Sequence, residues 1–170
     1  MEEWLIVDGY NMIGAWPELQ QLKKSNLTEA RDRLIELLSE YAVYSGQRVI
    51  IVFDAYLVPG HRQLQRVKGC SIVFTEKGET ADEYIERLVG ELKSPHRRRL
   101  FVATSDYTEQ RITFGRGALR ISARELLTMV NEAKHRISQQ VNELKIRNKT
   151  LRRSFRDDFK QQLEQWKRRN

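Results

Sequence analysis

Three short apolar runs in this chain stop at an acid, and that pattern limits the folds open to it more than any other feature. Trp4-Leu5-Ile6-Val7 runs into Asp8-Gly9-Tyr10-Asn11, Val49-Ile50-Ile51-Val52-Phe53 into Asp54, and Leu100-Phe101-Val102-Ala103-Thr104-Ser105 into Asp106. Runs of this length, rich in β-branched residues and closed by turn formers, predict strands buried on both faces. Such strands belong to parallel sheets covered by helices, so the expected class is α/β. In an open parallel sheet the carboxyl ends share one edge, and ligands bind in the crevice outside it. Acids far apart in sequence would then meet in one place. The alternative for each acid is turn punctuation, which Asp also favours.

Between these runs the chain reads as alternating helices and strands. Ile13 to Lys24 is expected to be a loop with a short helical piece, with Trp16-Pro17 marking a turn or helix start. Asn26 then caps a helix whose apolar positions Leu27, Ala30, Leu34, Leu37, Leu38 and Tyr41 recur at helical spacing up to Gly46. Ala55 to Gly69 reads as an exposed loop, and Cys70 to Phe74 as a further strand. Thr80-Ala81-Asp82-Glu83 is a capping box at the start of the next helix, and it accounts for Glu83 without any chemistry. The helix dipole also favours Asp82 there, yet a helix that follows a parallel strand begins beside the same crevice. Lys93 to Arg99 is a basic loop at the opposite edge, better explained as a solvated turn than as a substrate contact. Tyr107 to Phe114 reads as helical and Ala118 to Ile121 as a short strand. Ser122-Ala123-Arg124-Glu125 caps a last helix with no convincing stop.

Charge separates that last helix from the rest. Residues 145–170 hold ten basic and three acidic side chains, whereas 1–144 hold 20 of each, so the whole net charge of +7 lies in the tail. The expected division is therefore a domain over 1–144 and a basic amphipathic helical extension over 145–170, either an arm or a second helix folding back near Asn148. A neutral body with a basic extension suits a polyanionic partner. An ordinary charged or self-associating helix is the plainer explanation. The single Cys70 excludes an intramolecular disulfide and reads as a core residue. No run reaches membrane-spanning length, and no basic leader precedes an apolar one, so a cytoplasmic protein with no membrane partner is expected.

Asp8, Asp82 and Asp106 brought together would repel one another unless a cation joined them. Mg²⁺ or Mn²⁺ fits, as a hard ion held by a few carboxylates with positions left for phosphate oxygens. The scattered His61, His96 and His135 do not form a zinc set with Cys70. The absence of a phosphate-cradling glycine loop argues against a nucleotide cofactor, and the absence of a Gly-x-Ser-x-Gly elbow against a serine hydrolase.

The segments Val7-Asp8-Gly9-Tyr10-Asn11-Met12-Ile13-Gly14, Val52-Phe53-Asp54-Ala55, Glu79-Thr80-Ala81-Asp82-Glu83 and Ala103-Thr104-Ser105-Asp106-Tyr107-Thr108-Glu109-Gln110 together resemble the YacP type of NYN domain. This is a branch of the PIN-like nucleases that includes ribosome-dependent messenger-RNA decay endonucleases of Gram-positive bacteria. The resemblance spans roughly residues 3–130, with its motifs in family order. It implies a PIN-like three-layer α/β/α sandwich with a mainly parallel central sheet, here followed by a long basic C-terminal helix. It further implies metal-dependent cleavage of RNA, in particular mRNA, by attack of metal-activated water on a phosphodiester. The ends left would be 5′-phosphate and 3′-hydroxyl, and the ribosome is the implied partner. The implied metal acids fall on Asp8, Asp82 and Asp106, with Asn11 as supporting amide and Glu83 as an outer acid; Asp54 is less secure. Arg116, Arg120 and Arg124, and Arg152, Arg153 and Arg156 in the tail, are candidate RNA contacts, and a solvated helix face explains the first three equally well. The competing reading is a non-catalytic RNA- or ribosome-binding protein that retains the acids; a small-molecule phosphohydrolase would have no use for the basic tail.

Overall fold

The computed structural model describes residues 1–55, 63–93, 97–105 and 117–169. Six strands among these form one sheet: β1 (Glu2–Asp8), β2 (Arg48–Phe53), β3 (Gln63–Val67), β4 (Cys70–Phe74), β5 (Arg98–Ala103) and β6 (Leu119–Ile121). The helices are α1 (Gly9–Ala15), α2 (Pro17–Ser25), α3 (Leu27–Ser45), α4 (Ala81–Leu92) and α5 (Ala123–Arg169). The strand order is β3-β4-β2-β1-β5-β6, parallel throughout except for β3.

Alternation along the strands divides the core into two clusters, one for each face. Leu5 and Val7 of β1 and Val49, Ile51 and Phe53 of β2 pack with α1 to α3 and with Leu126, Val130 and Ala133 at the start of α5. Ile6, Ile50, Val52 and Val102 point the other way, onto Ala81, Ile85 and Val89 of α4. Helices thus cover both faces, giving the three-layer α/β/α arrangement that strands buried on both sides require. The chain moves outward from β1 to β2 and β4, then crosses back through α4 to β5 on the other side of β1. That reversal makes the β1/β5 junction a topological switch point.

Local signals account for most boundaries. Asn26 accepts hydrogen bonds from the backbone N–H groups of Thr28 and Glu29, and Gly46 closes α3 in the left-handed region at φ 72°. Other expectations need correction. The segment from Ile13 to Lys24 is two helices rather than a loop with one short piece. Asp8 caps α1, Trp16 is extended as the residue before a proline must be, and Pro17 opens α2. The stretch from Ala55 to Gly69 is not loop throughout, because Gln63–Val67 pairs antiparallel with β4 as an edge strand. A two-residue turn, Lys68 (φ 39°) and Gly69 (φ 86°), joins the pair, and positive φ at both positions is what a tight hairpin needs. Positions 56–62 of that stretch lie outside the described residues. So do 94–96 of the basic loop and the helix expected over Tyr107–Phe114.

Arg98 and Arg99 belong to β5 rather than to the basic loop. They lie opposite Glu2 and Glu3, and Arg99 meets Glu3 at 3.1 Å. Their charges therefore serve strand pairing at the amino edge. By Cα proximity the chain forms two compact units, Met1–Ala133 and Lys134–Asn170. The second is helical along its described length, with no break near Asn148 and hence no second helix folding back. Among the described residues, no helix is long and apolar enough to cross a membrane.

Candidate functional site

Asp8 is the last residue of β1 and the N-cap of α1, only 8% exposed, and its Oδ1 accepts the Asn11 N–H at 3.1 Å. The next residue must be glycine for steric reasons. A Cβ on Gly9 would overlap the Phe53 ring, so the chain turns into α1 pressed against the end of β2. Asp54 follows β2 directly, and parallel pairing puts Asp8 level with Val52. Beyond β5 come the buried Thr104 and then Ser105.

A hydrogen-bond junction closes the switch point. Asn11 Oδ1 accepts the Ser105 N–H at 2.6 Å and also the Ser105 hydroxyl. Both lone pairs of that oxygen are thereby used, leaving the Asn11 NH₂ group as the part able to meet a ligand. This suits Asn11 to orienting a phosphate or an acid rather than to ligating a cation. Its anchor, Ser105, immediately precedes Asp106. Asp106 and Arg116 themselves lie outside the described residues.

The third approach to this edge comes from α4. Thr80 and Glu83 make the reciprocal capping box, with Thr80 N–H to Glu83 Oε2 at 3.1 Å and Glu83 N–H to Thr80 Oγ1 at 3.2 Å. One oxygen of Glu83 is thus engaged by the cap. Asp82, beside it in the first turn, is exposed. What fixes this turn is a residue that the sequence patterns do not single out. Thr75, fully buried just past β4, accepts the Ala55 N–H at 2.9 Å and donates to the Glu79 carbonyl at 2.8 Å. It ties the end of β2, where Asp54 sits, to the turn that leads into α4. An ion pair from Glu79 to Arg87 holds the same turn to α4.

Oxygen donors of this kind fit a hard divalent cation, and the carboxylates of Asp8 and Asp82 are the described candidates. Among the described residues, no three His, Cys, Asp or Glu side chains form a complete metal cluster. The set implied by the resemblance needs Asp106. Arg120 lies on β6, level with Val102, and Arg124 in the first turn of α5; both are exposed. Hydrogen bonds from Ser122 hold the Glu125 carboxyl below its usual range, with the Arg120 charge acting in the same direction.

The sequence matches the YacP-like NYN domain over residues 5–168. The chain belongs to that family. It is 46% identical over 164 residues to the uncharacterized protein YacP of Bacillus subtilis (strain 168), covering 96% of each chain. It also resembles the crystal structure of Rae1 (YacP) from Bacillus subtilis, with a TM-score of 0.77 and 45% identity over 97% of this chain and 94% of that one. A crystal structure of a tryptophan-to-leucine variant of the same protein matches at TM-score 0.72 and 50% identity, covering 85% of this chain and 84% of that one. The NYN match runs well into α5 and takes in most of the basic helix. On that helix Lys145, Lys149, Arg152, Arg153 and Arg156 line one shared surface, and Leu151, Phe155 and Phe159 are exposed alongside.

Proposed function

We propose that this YacP-like NYN protein is a divalent-metal-dependent endoribonuclease acting on mRNA, with the ribosome as its working partner. The observation that carries the reading is the Asn11–Ser105 junction at the switch point, between the buried Asp8 and the segment that begins with Asp106. Membership of the NYN family supports it.

In this reading Asp8, Asp82 and Asp106 hold Mg²⁺ or Mn²⁺. The bound ion supplies charge neutralisation at the phosphate and lowers the pKa of water for attack. The residues of the chain do the positioning. Asn11, fixed through its carbonyl oxygen, directs its NH₂ group at a phosphate oxygen. Glu83 steadies the first turn of α4, and with it Asp82, through the Thr80 cap. Arg116, Arg120 and Arg124 contact the RNA backbone. The basic surface of α5, including Arg152, Arg153 and Arg156, adds salt-dependent affinity for RNA or ribosome.

The test is cleavage of a 5′-labelled RNA, naked and on translating ribosomes, with Mn²⁺ or with EDTA, by wild type and Asp82→Asn. Metal-dependent cutting that is lost in the variant is expected, with 5′-phosphate ends and a preference for ribosome-bound RNA. Equal RNA binding by both proteins with no cutting by either would replace the nuclease with a non-catalytic RNA-binding protein.

A further inference from the structure

Arg31 stands apart from the ion-paired arginines among the described residues. Arg33, Arg48, Arg87, Arg98 and Arg99 each form an ion pair with glutamate. Arg31, on the second turn of α3, gives its hydrogen bonds to neutral oxygens instead. Nη1 donates to the Tyr10 hydroxyl at 3.0 Å and Nη2 to Thr28 Oγ1 at 3.0 Å. Its guanidinium lies over the Phe74 ring, 5.9 Å from the centroid. Phe74 stacks on Phe53 at 5.4 Å, and Tyr10 meets Phe53 edge-on at 5.1 Å.

The three aromatic residues of this group are tied to the carboxyl edge. Tyr10 stands two residues after Asp8, and Phe53 and Phe74 end β2 and β4. Arg31 is partly buried and held by two hydroxyls and a ring, so it has already lost much of the rotamer freedom that a flexible cation gives up on binding. Of its five N–H donors, three remain after these bonds. The Tyr10 hydroxyl accepts from Arg31, which leaves its own proton for a further acceptor. A preorganised, unneutralised guanidinium with a hydroxyl donor beside it is the chemistry that recognises a phosphate.

We infer that Arg31, with Tyr10, forms a phosphate-binding subsite for a single-stranded RNA backbone, engaging a phosphodiester next to the one held at Asp8. The inference rests on the nuclease reading for the identity of the strand. It adds a cationic contact on α3, on the β2/β4 side of the acids, and so gives the strand a direction across the edge.

The test uses Asp82→Asn, so that RNA is not consumed, and a fluorescein-labelled single-stranded oligoribonucleotide followed by anisotropy across a KCl series. Adding Arg31→Gln is expected to weaken binding about tenfold. It should also lower the slope of log K against log salt by about 0.7, the value for one phosphate contact on a single strand. Arg31→Lys should keep that slope. A methylphosphonate placed at each linkage in turn should weaken the parent about tenfold at one position and leave the Arg31→Gln protein indifferent there. A slope unchanged by Arg31→Gln, independent effects at every linkage, or no binding of the oligonucleotide at all would overturn the subsite. If Arg31→Gln fails to fold, phenylglyoxal labelling of Arg31 in the Asp82→Asn protein decides: protection by RNA supports the subsite, and equal labelling with saturating RNA refutes it. RNA bound through Arg31 but never cut by wild type would remove the nuclease and keep the subsite. Cutting that is indifferent to Arg31 would do the reverse.

Discussion

Replacing Thr75 by valine removes one hydroxyl from a fully buried position and changes the shape of the side chain very little. The hydroxyl makes two hydrogen bonds, from the Ala55 N–H and to the Glu79 carbonyl. A hydrogen bond contributes about 1 kcal/mol net, and a buried partner left unsatisfied costs about 1–3 kcal/mol. Thr75→Val should therefore destabilise the protein by about 2–4 kcal/mol. Thr75→Ser keeps both bonds and loses one methyl group, at a cost of about 1 kcal/mol. Urea denaturation followed by circular dichroism measures both, and the midpoint should fall further for valine with the slope unchanged. Because Thr75 ties the turn before α4, Thr75→Val should also lower cleavage well beyond any loss of folded protein, whereas Thr75→Ser should not. A valine variant as stable as wild type, or more stable than the serine variant, would refute the idea that this hydroxyl holds the edge together.

Gly9→Ala should cost about 1–3 kcal/mol in the same assay, because its methyl group meets the Phe53 ring; a neutral or stabilising effect would contradict the close approach. Burial pushes the Cys70 thiol above its ordinary range. The folded chain then keeps a proton that the unfolded chain loses above about pH 8.5, so this group's contribution to stability is intact below that pH and declines as pH rises past it. Accordingly, at pH 8 a disulfide reagent should label Cys70 no faster than the protein unfolds, and immediate stoichiometric labelling would count against the burial. Deleting residues 145–170 should flatten the salt dependence of RNA binding by about 0.7 for each phosphate that the tail neutralises, and an unchanged slope would remove the tail from the RNA interface.

Features set by neighbours in sequence were the legible ones. The cap at Asn26, the left-handed Gly46 and the reciprocal boxes Thr80/Glu83 and Ser122/Glu125 each need only three or four consecutive residues, and each is present. The strands β1, β2 and β4 were legible because burial on both faces demands unbroken apolar runs. β3 was not: its polar-alternating Gln63–Val67 has Leu64 60% exposed, and its turn carries a lysine where a glycine or asparagine is the usual signal. Ser105 and Thr75 were missed for another reason. The Asn11–Ser105 bond spans 94 residues and exists only once strand order brings β1 beside β5. Arg31 gave no signal at all, since its partners come from α1, its own helix and β4. Sequence could offer candidate acids at strand ends; the hydrogen bonds that brace Asn11 and the turn before α4 follow from topology.

The central claim, that acids at this edge hold a catalytic divalent cation, is tested most directly by Mn²⁺ binding in the absence of RNA. Thermal unfolding of wild type and Asp82→Asn should be compared over a Mn²⁺ series at fixed ionic strength. Asp82 is exposed, so the variant should fold as wild type does. A ligand at ten times its Kd adds about 1.4 kcal/mol of stability, which is about 3–6 °C for a chain of this size. Wild type should show that saturable rise and Asp82→Asn should lose it. An equal rise in both proteins, or none in either, would contradict the claim.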